Sequence, residues 1–309
     1  MYKILVTGGA GFIGSNFIIR SIDKLNCTIL NIDKLTYSGN LNNLKDVNSN
    51  YTFLQADIAD KELIKGAIDE FKPNTIVNFA AESHVDRSID NYSDFINTNI
   101  LGTINLLELS LDYYNKVKCE NFKFIHISTD EVYGSLTDQG SFNESSTYLP
   151  SSPYSASKAS SDHFVHSWNK TFGLPTIITN CSNNYGPYQF PEKLIPLMII
   201  NALNEEQLPV YGDGSNIRDW IHVQDHCDAL IKIIKDGVTG EKYNIGGNCE
   251  QKNIDIVELI CEKTDIIKPR ECGKSYKDLI SFVEDRPGHD YRYSVDFSKI
   301  SSRLDWSPQ

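Results

Sequence analysis

Residues 2–14 read YKILVTGGAGFIG. A short β-branched run breaks into closely spaced glycines and resumes as FIGSNFIIRSI, where apolar residues recur at helical intervals. Gly9, Gly11 and Gly14 satisfy the GxGxxG spacing, with Gly8 beside them, in the strand-to-helix context that gives the spacing meaning. Glycine lets a backbone turn tightly and approach a pyrophosphate, and a helix N-terminus offers free N–H groups with partial positive charge. A glycine turn that only packs helix on sheet needs no acid downstream. Here the next β-branched run, TILNID, ends at Asp33, 19 residues beyond Gly14, where a carboxylate can accept from ribose hydroxyls and repel a 2′-phosphate. The stretch predicts an NAD site rather than an NADP site, with Lys34 next door as the opposing charge.

The same rhythm continues outward. YTFLQA, TIVNFA, FKFIHIS and PTIITNC are further short apolar runs separated by helix-length segments, the pattern of parallel strands buried on both faces. The fold class is therefore α/β, a doubly wound parallel sheet of the Rossmann type over residues 1–180. After Cys181 the chain breaks into Asn-, Pro- and Gly-rich turns such as YGPYQFPEKLIP and YGDGSNIRDW. A smaller C-terminal lobe is expected over residues 181–309, with some segments returning to the first domain. Pro153, followed by an Ala-rich pattern carrying Phe164, Val165 and Trp168, reads as a helix start.

In this chain of 309 residues, 41 acidic against 29 basic side chains leave a net charge of −12, which argues against nucleic acid or an anionic membrane as partner. An anionic small molecule would need local cations. Seven scattered cysteines, odd in number and without a CxxC pair, suggest neither a disulfide framework nor a zinc knuckle, and fit a reducing cytoplasm. The N-terminus lacks a signal-peptide pattern, and LIPLMIINAL is far shorter than the ~20 residues that cross a bilayer. His222 and His226 flank Asp225 at a helical spacing that could hold a metal, but no third ligand is evident, so no metal is expected.

FIHISTDEVYGS, residues 124–135, raises a separate question: an apolar run ends in Thr129, Asp130 and Glu131. Adjacent acids at a strand end are ordinarily solvated. Successive strand residues face opposite ways, so both acids can serve one site only if the strand stops there and the chain turns. Tyr154 and Lys158 form a YxxxK pair on one helical face; Tyr114 and Lys118 match the spacing too, but Tyr154 follows the strand bearing Thr129 and can return to its C-terminal edge. Lowering a phenol of pKa ~10 by about three units takes ~4 kcal/mol, about what one ammonium at ~4 Å supplies. Such a Tyr could take a hydroxyl proton while hydride leaves the same carbon. The C–H next to the new ketone becomes acidic, so one carboxylate could remove that proton while a neighbouring carboxylic acid protonates a departing hydroxyl. Like charges held close favour a state in which one acid keeps its proton.

TGGAGFIGS, DKLTYSGN, AAESHVDRS, STDEVYG, SPYSASKASSDH, NCSNNYGPYQFPEKLIP, YGDGSNIRDW and EDRPGH together resemble the dTDP-glucose 4,6-dehydratases, a family of extended short-chain dehydrogenases/reductases, from residue 1 to about 298. The resemblance implies that NAD oxidises the glucose C4 hydroxyl, that water is eliminated across C5 and C6, and that hydride returns to C6. It makes Tyr154 the C4 base with Lys158 beside it, Thr129 the partner of the C4 oxygen, Asp130 the acid at C6 and Glu131 the base at C5. Implied cofactor contacts are Gly8, Gly11, Phe12, Ile13, Gly14, Asp33, Lys34, Leu35, Thr36, Asp57, Ile58, Phe79, Ala80, Ala81, Ser83, Thr98, Tyr154, Lys158 and Asn184. Implied contacts to the nucleotide-sugar substrate are Ser83, Thr129, Asn183, Lys193, Leu194, Pro209, Tyr211, Arg218, Asn253, Arg286 and His289, with Lys193, Arg218 and Arg286 supplying cations for a diphosphate. A homodimer through the helices near 92 to 114 and 154 to 172 is likewise implied. Ser38 stands where Ala is usual, and His222 and Gln224 where Tyr and Glu are more frequent. Relatives usually continue past RLDWSPQ through another helix.

Overall fold

The computed structural model describes residues 1–47 and 50–309. Its strands are β1 (Tyr2–Thr7), β2 (Cys27–Asp33), β3 (Tyr51–Gln55), β4 (Thr75–Asn78), β5 (Lys123–Thr129), β6 (Thr176–Cys181), β7 (Asn183–Tyr185), β8 (Leu208–Tyr211), β9 (Ile217–His222), β10 (Lys242–Ile245), β11 (Glu250–Lys252) and β12 (Ile280–Val283). The helices are α1 (Phe12–Lys24), α2 (Lys61–Phe71), α3 (Val85–Asp90), α4 (Ser93–Phe95), α5 (Thr103–Val117), α6 (Pro153–Phe172), α7 (Leu194–Leu203), α8 (Val223–Asp236), α9 (Asn253–Ile267) and α10 (Ser298–Leu304).

Seven strands form one sheet in the order β10-β6-β5-β4-β1-β2-β3. Every pairing in it is parallel. The apolar runs lack polar alternation because each strand feeds two cores. In β1, Ile4 and Val6 point into one cluster with Phe17, Ile18, Leu230 and Ile233 from α1 and α8, while Leu5 points into the other with Ile64, Leu106 and Val165 from α2, α5 and α6. The chain runs outward from β1 to β3 and then, from β4, outward in the opposite direction. The order therefore reverses between β1 and β4, and their carboxyl ends open a crevice there.

The sequence rhythm placed six strands before Cys181; the seventh, β10, comes from the C-terminal half, and α8 packs on α1. Beside them, β11-β9-β7 and β12-β8 form two small sheets, and α7 and α9 enclose a third cluster around Met198, Leu208, Val257 and Tyr276. Among the described residues, no helix is long and apolar enough to cross a membrane.

Candidate active site

At the β1–α1 turn, Gly8 adopts φ +70°, and a Cβ there would sit 2.6 Å from the Ala80 nitrogen. A Cβ on Gly14 would overlap the Gly8 carbonyl oxygen. Gly11 caps α1 without any side-chain hydrogen bond, so the first N–H groups of the helix face the crevice unclaimed. Gly8, Gly11 and Gly14 line the cleft. Gly9, which completes the GxGxxG spacing, does not: its N–H donates to Asn31 Oδ1 at 3.1 Å, and a side chain there would strike that amide. The spacing that matters in this turn is thus GxxGxxG, because the left-handed turn falls one residue earlier.

Asp33 ends β2 at the same edge. Its Oδ2 accepts from the Ala10 N–H at 2.9 Å and its Oδ1 from the Leu35 N–H at 2.8 Å, so the carboxylate holds both loops beside the cleft. Lys34 does not offer a cation to a 2′-phosphate. Its Nζ donates to Thr98 Oγ1 at 3.0 Å and lies 3.5 Å from Glu82 and 3.8 Å from Asp57. A glycine cradle with free amides, an acid at the ribose position and an engaged lysine fit NAD.

Phe12, Ile13, Thr36, Asp57, Ile58, Phe79, Ala80, Ala81, Ser83, Thr98 and Asn184 all line this cleft. Leu35 lies outside its wall, at φ +57° between two lining residues. Glu82, Gln189, Phe190 and Glu192 also line it, and sequence reasoning missed them as site residues; Glu82 falls within the AAESHVDRS motif, where its position was the available signal. Thr98 and Asn99 are carried by a π-helical stretch, Ile96–Gly102, that leads into α5. Asn99 grips the Glu82 backbone on both sides and donates to Ser157 Oγ at 2.8 Å, tying this wall to α6.

The other half of the cleft is built on β5 and α6. β5 ends at Thr129, whose side chain caps a 3₁₀ turn over Asp130–Tyr133 by accepting from the Glu131 N–H. That turn resolves the problem of alternation, since it carries both acids to the same cleft. Asp130 is 1% exposed and Glu131 is partly exposed. Thr129 Oγ1 lies 3.3 Å from Asp130 Oδ1, while the buried Oδ2 has no partner. Burial, with Glu131 and Asp219 adding repulsion, pushes the Asp130 carboxyl well above the usual range. Glu131 is raised too, again chiefly by burial, but Arg286, Arg218 and Lys193 pull it back down. Burial and neighbouring charge therefore favour the protonated form more at Asp130 than at Glu131.

Ser152 and Ser155 form a capping box that starts α6, with Pro153 in its first turn. The helix delivers Tyr154 and Lys158 to the cleft beside Thr129. Lys118 sits instead at the left-handed C-cap of α5, and neither it nor Tyr114 lines the cleft. One expectation fails. The Tyr154 phenol is not lowered here but pushed well above its ordinary value, by burial first and then by Glu131 and Asp130. Lys158 is itself lowered to about 8 by burial, and its Nζ donates to the Ile127 carbonyl at 2.7 Å. An ammonium one helical turn away is thus not enough: burial and Glu131 raise the phenol, and the lysine is itself desolvated.

Beneath Lys158 lies a buried polar cluster that the sequence reading did not single out. Asp162 Oδ2 accepts from Ser128 Oγ and Tyr148 Oη, both at 2.8 Å, and from Asn180 Nδ2 at 3.2 Å. His126 is fully buried, and burial with Lys158 keeps it well below its usual pKa, hence neutral. Asn78 Nδ2 faces its Nδ1 at 3.2 Å, which assigns the hydrogen to Nε2, toward Ser161 Oγ at 3.2 Å.

Asn183 and Lys193 line the cleft; Leu194, Pro209, Tyr211, Arg218, Asn253, Arg286 and His289 lie outside its wall. Arg218 is 6% exposed, not a solvated surface charge. It lies 4.4 Å from the Tyr293 ring centre and donates to the Asp290 carbonyl at 3.0 Å. Tyr211 Oη meets Asp86 at 3.1 Å and Arg286 lies 3.5 Å from the same acid. His289 bonds Asp285 at 2.7 Å. Leu194 and Asn253 open α7 and α9, and Pro209 lies in β8. Among the described residues, no group of three His, Cys, Asp or Glu side chains is placed to hold a metal. His222 caps α8 and His226 bonds Asn184 Oδ1 at 2.9 Å.

The GDP-mannose 4,6 dehydratase family model matches residues 5–309. A probable dTDP-glucose 4,6-dehydratase of Sinorhizobium fredii is 55% identical over 99% of this chain and 88% of that protein. Among solved structures, dTDP-glucose 4,6-dehydratase from Bacillus anthracis in complex with NAD superposes with a TM-score of 0.87, at 46% identity over 100% of this chain and 92% of that one. The Streptomyces venezuelae enzyme of the same name, also with NAD bound, gives 0.90 at 43% identity over 99% and 92%. A glycine cradle for NAD and an acid pair, its Asp130 buried, beside a YxxxK helix thus coincide with full-length similarity: the chain belongs to the dTDP-glucose 4,6-dehydratase family of extended short-chain dehydrogenases/reductases.

Proposed function

We propose that this chain is an NAD-dependent hydro-lyase that converts dTDP-glucose to dTDP-4-keto-6-deoxyglucose. The observation that carries the reading is the buried Asp130 beside Glu131 in the cleft of Tyr154 and Lys158. An epimerase or decarboxylase of the same fold needs the Tyr–Lys pair but no second acid for a C6 hydroxyl, and a non-catalytic NAD sensor needs neither. UDP-glucose 4-epimerase from Thermotoga maritima shares the fold at a TM-score of 0.87 but only 29% identity.

Bound NAD supplies a hydride acceptor whose reduced form can give the hydride back. The chain's own residues do the rest. Thr129 holds the C4 oxygen, and Tyr154 takes the C4 hydroxyl proton once the positive charges of Lys158, one helical turn away, and of bound NAD offset the burial that raises its phenol. Asp130, kept protonated by burial, protonates the departing C6 hydroxyl, and Glu131, whose ionised form Lys193, Arg218 and Arg286 favour, removes the C5 proton. The same three cations suit a diphosphate. Desolvation lowers Arg218 and Lys193, which makes an anionic ligand a favourable partner for both.

Residues 181–309 act mainly as the nucleotide-sugar lobe. Exposed Ile96, Leu101 and Val117, with Phe164 and Phe172 on α6, support a homodimer through these helices. Seven free cysteines suit a cytoplasmic enzyme, and the product suits deoxysugar synthesis of the dTDP-rhamnose type.

The test uses protein without added NAD and dTDP-glucose in heavy water. Loss of one water with solvent deuterium at C5 is expected by mass spectrometry and NMR. An epimerised hexose, released carbon dioxide or unchanged substrate refutes the reading.

A further inference from the structure

Two segments reach over the glycine cradle from opposite sides, and each is anchored to it. Residues 34–40, which follow Asp33, are fixed to the glycine turn: Asp33 Oδ2 accepts from the Ala10 N–H and the Asn40 N–H donates to the Ala10 carbonyl, both at 2.9 Å. Residues 186–193, across the cleft, are fixed to α1, where Asn16 Nδ2 donates to the Phe12 and Pro187 carbonyls, both at 2.9 Å. Thr36, Ser38 and Gly39 of the first segment and Phe190 and Glu192 of the second line the same cleft.

The two segments also meet each other. The Tyr37 hydroxyl donates to Glu192 Oε1 at 3.0 Å, across 155 positions of sequence. The Tyr37 ring stands edge-on to Phe190, with centres 5.3 Å apart, and the Arg87 guanidinium lies 3.6 Å from the Tyr37 ring centre. The other oxygen of Glu192, Oε2, is 3.4 Å from Arg87 Nη2 and 3.6 Å from His84 Nε2. Burial and then Glu192 raise the Tyr37 phenol, so it retains the hydrogen that this bond needs. Tyr37 itself lies outside the cleft wall. What its bond does is complete a closed ring, from the glycine turn through residues 34–40, Tyr37, Glu192 and residues 186–193 back to α1, with the cradle inside.

The dehydratase reading, on which this inference rests, gives such a ring a use. The hydride taken from C4 is the one returned to C6, so a dinucleotide that escaped in its reduced form would strand the sugar as a ketone and leave the enzyme empty. We propose that the Tyr37–Glu192 bond is a clasp that holds the dinucleotide on the glycine cradle, and that exchange with free NAD requires this bond to open. A hydrogen bond to a carboxylate is stronger than one between neutral groups, but Tyr37 is 39% exposed, which places its effect at the lower end of that class.

The experiment mixes the cofactor-containing enzyme, without substrate, with excess deuterated NAD and reads the bound cofactor by mass spectrometry after rapid gel filtration at successive times. Tyr37→Phe keeps the ring against Arg87 and Phe190 and removes only the hydroxyl; it is expected to speed exchange about 10-fold. Glu192→Ala should speed exchange at least as much, and adding Tyr37→Phe to it should change the rate by less than about 2-fold, because the bond is already gone. A segment merely loosened by the substitution would quicken exchange in both backgrounds. Exchange within about 2-fold of the parent in Tyr37→Phe, or separate and multiplying effects of the two substitutions, overturns the clasp. So does a parent that exchanges its NAD within the mixing time. A parent that keeps its NAD through the chase yet releases no water from dTDP-glucose refutes the dehydratase reading and leaves the clasp standing.

Discussion

Asp162→Asn removes the carboxylate beneath Lys158 while keeping an oxygen for Ser128 and Tyr148. Lys158 Nζ lies 3.5 Å from His126 Nε2, and the same Nε2 lies 3.5 Å from Asp162 Oδ1, which caps the ammonium–carboxylate separation at 7.0 Å. At an effective dielectric near 20, attraction over that distance is at least about 2.4 kcal/mol, or nearly 2 pH units on Lys158. His126 is neutral and supplies no compensating charge. The sign follows from burial: Lys158, already lowered to about 8, loses its proton as pH rises through that value, and with it goes the positive charge near Tyr154. In the parent, C4 oxidation should therefore decline above about pH 8. In the variant the decline should begin roughly 2 units lower. The assay is stopped-flow reduction of the bound cofactor on mixing with dTDP-glucose across pH, with cofactor content and unfolding temperature as controls for intact folding. An alkaline limb that stays within about 0.5 unit of the parent in a folded, cofactor-loaded variant refutes the electrostatic role of Asp162.

Three further outcomes are expected. Glu131→Gln should still reduce its cofactor on adding substrate yet stall before water is lost, with dehydration slowed about 10²- to 10⁴-fold; dehydration at the parental rate in a quench assay would show the C5 base to be elsewhere. Asp130→Asn should slow water loss by a similar factor while C5 still exchanges with heavy water, which NMR of recovered sugar can follow, and loss of that exchange would tie Asp130 to C5 rather than C6. Gly14→Ala would drive a methyl into the Gly8 carbonyl and to 2.8 Å from the Gly9 Cα, so the purified protein should carry about 10-fold less NAD in an acid-release assay. Parental NAD content would mean that the turn can yield.

Local pattern was enough for six of the seven strands and for the places in the chain of the candidate side chains. Buried parallel strands announce themselves as unbroken apolar runs because both faces need side chains, and Asp33, Thr129, Asp130, Glu131, Tyr154 and Lys158 all stand at strand ends or a helix start that sequence alone locates. What sequence could not assign is whatever depends on segments distant in the chain. β10 joins the sheet from beyond the apparent boundary because register with β6 is a pairing, not a local propensity. Gly9 and Gly8 exchange roles because only the fold puts Asn31 behind one and Ala80 behind the other. Above all, the directions in which these groups' pKa values move depend on the tertiary structure. Desolvation grows with every element packed around a charge, so the raised Tyr154 and Asp130 and the lowered Lys158 follow from burial among β5, α6 and β9, whose residues lie far apart along the sequence.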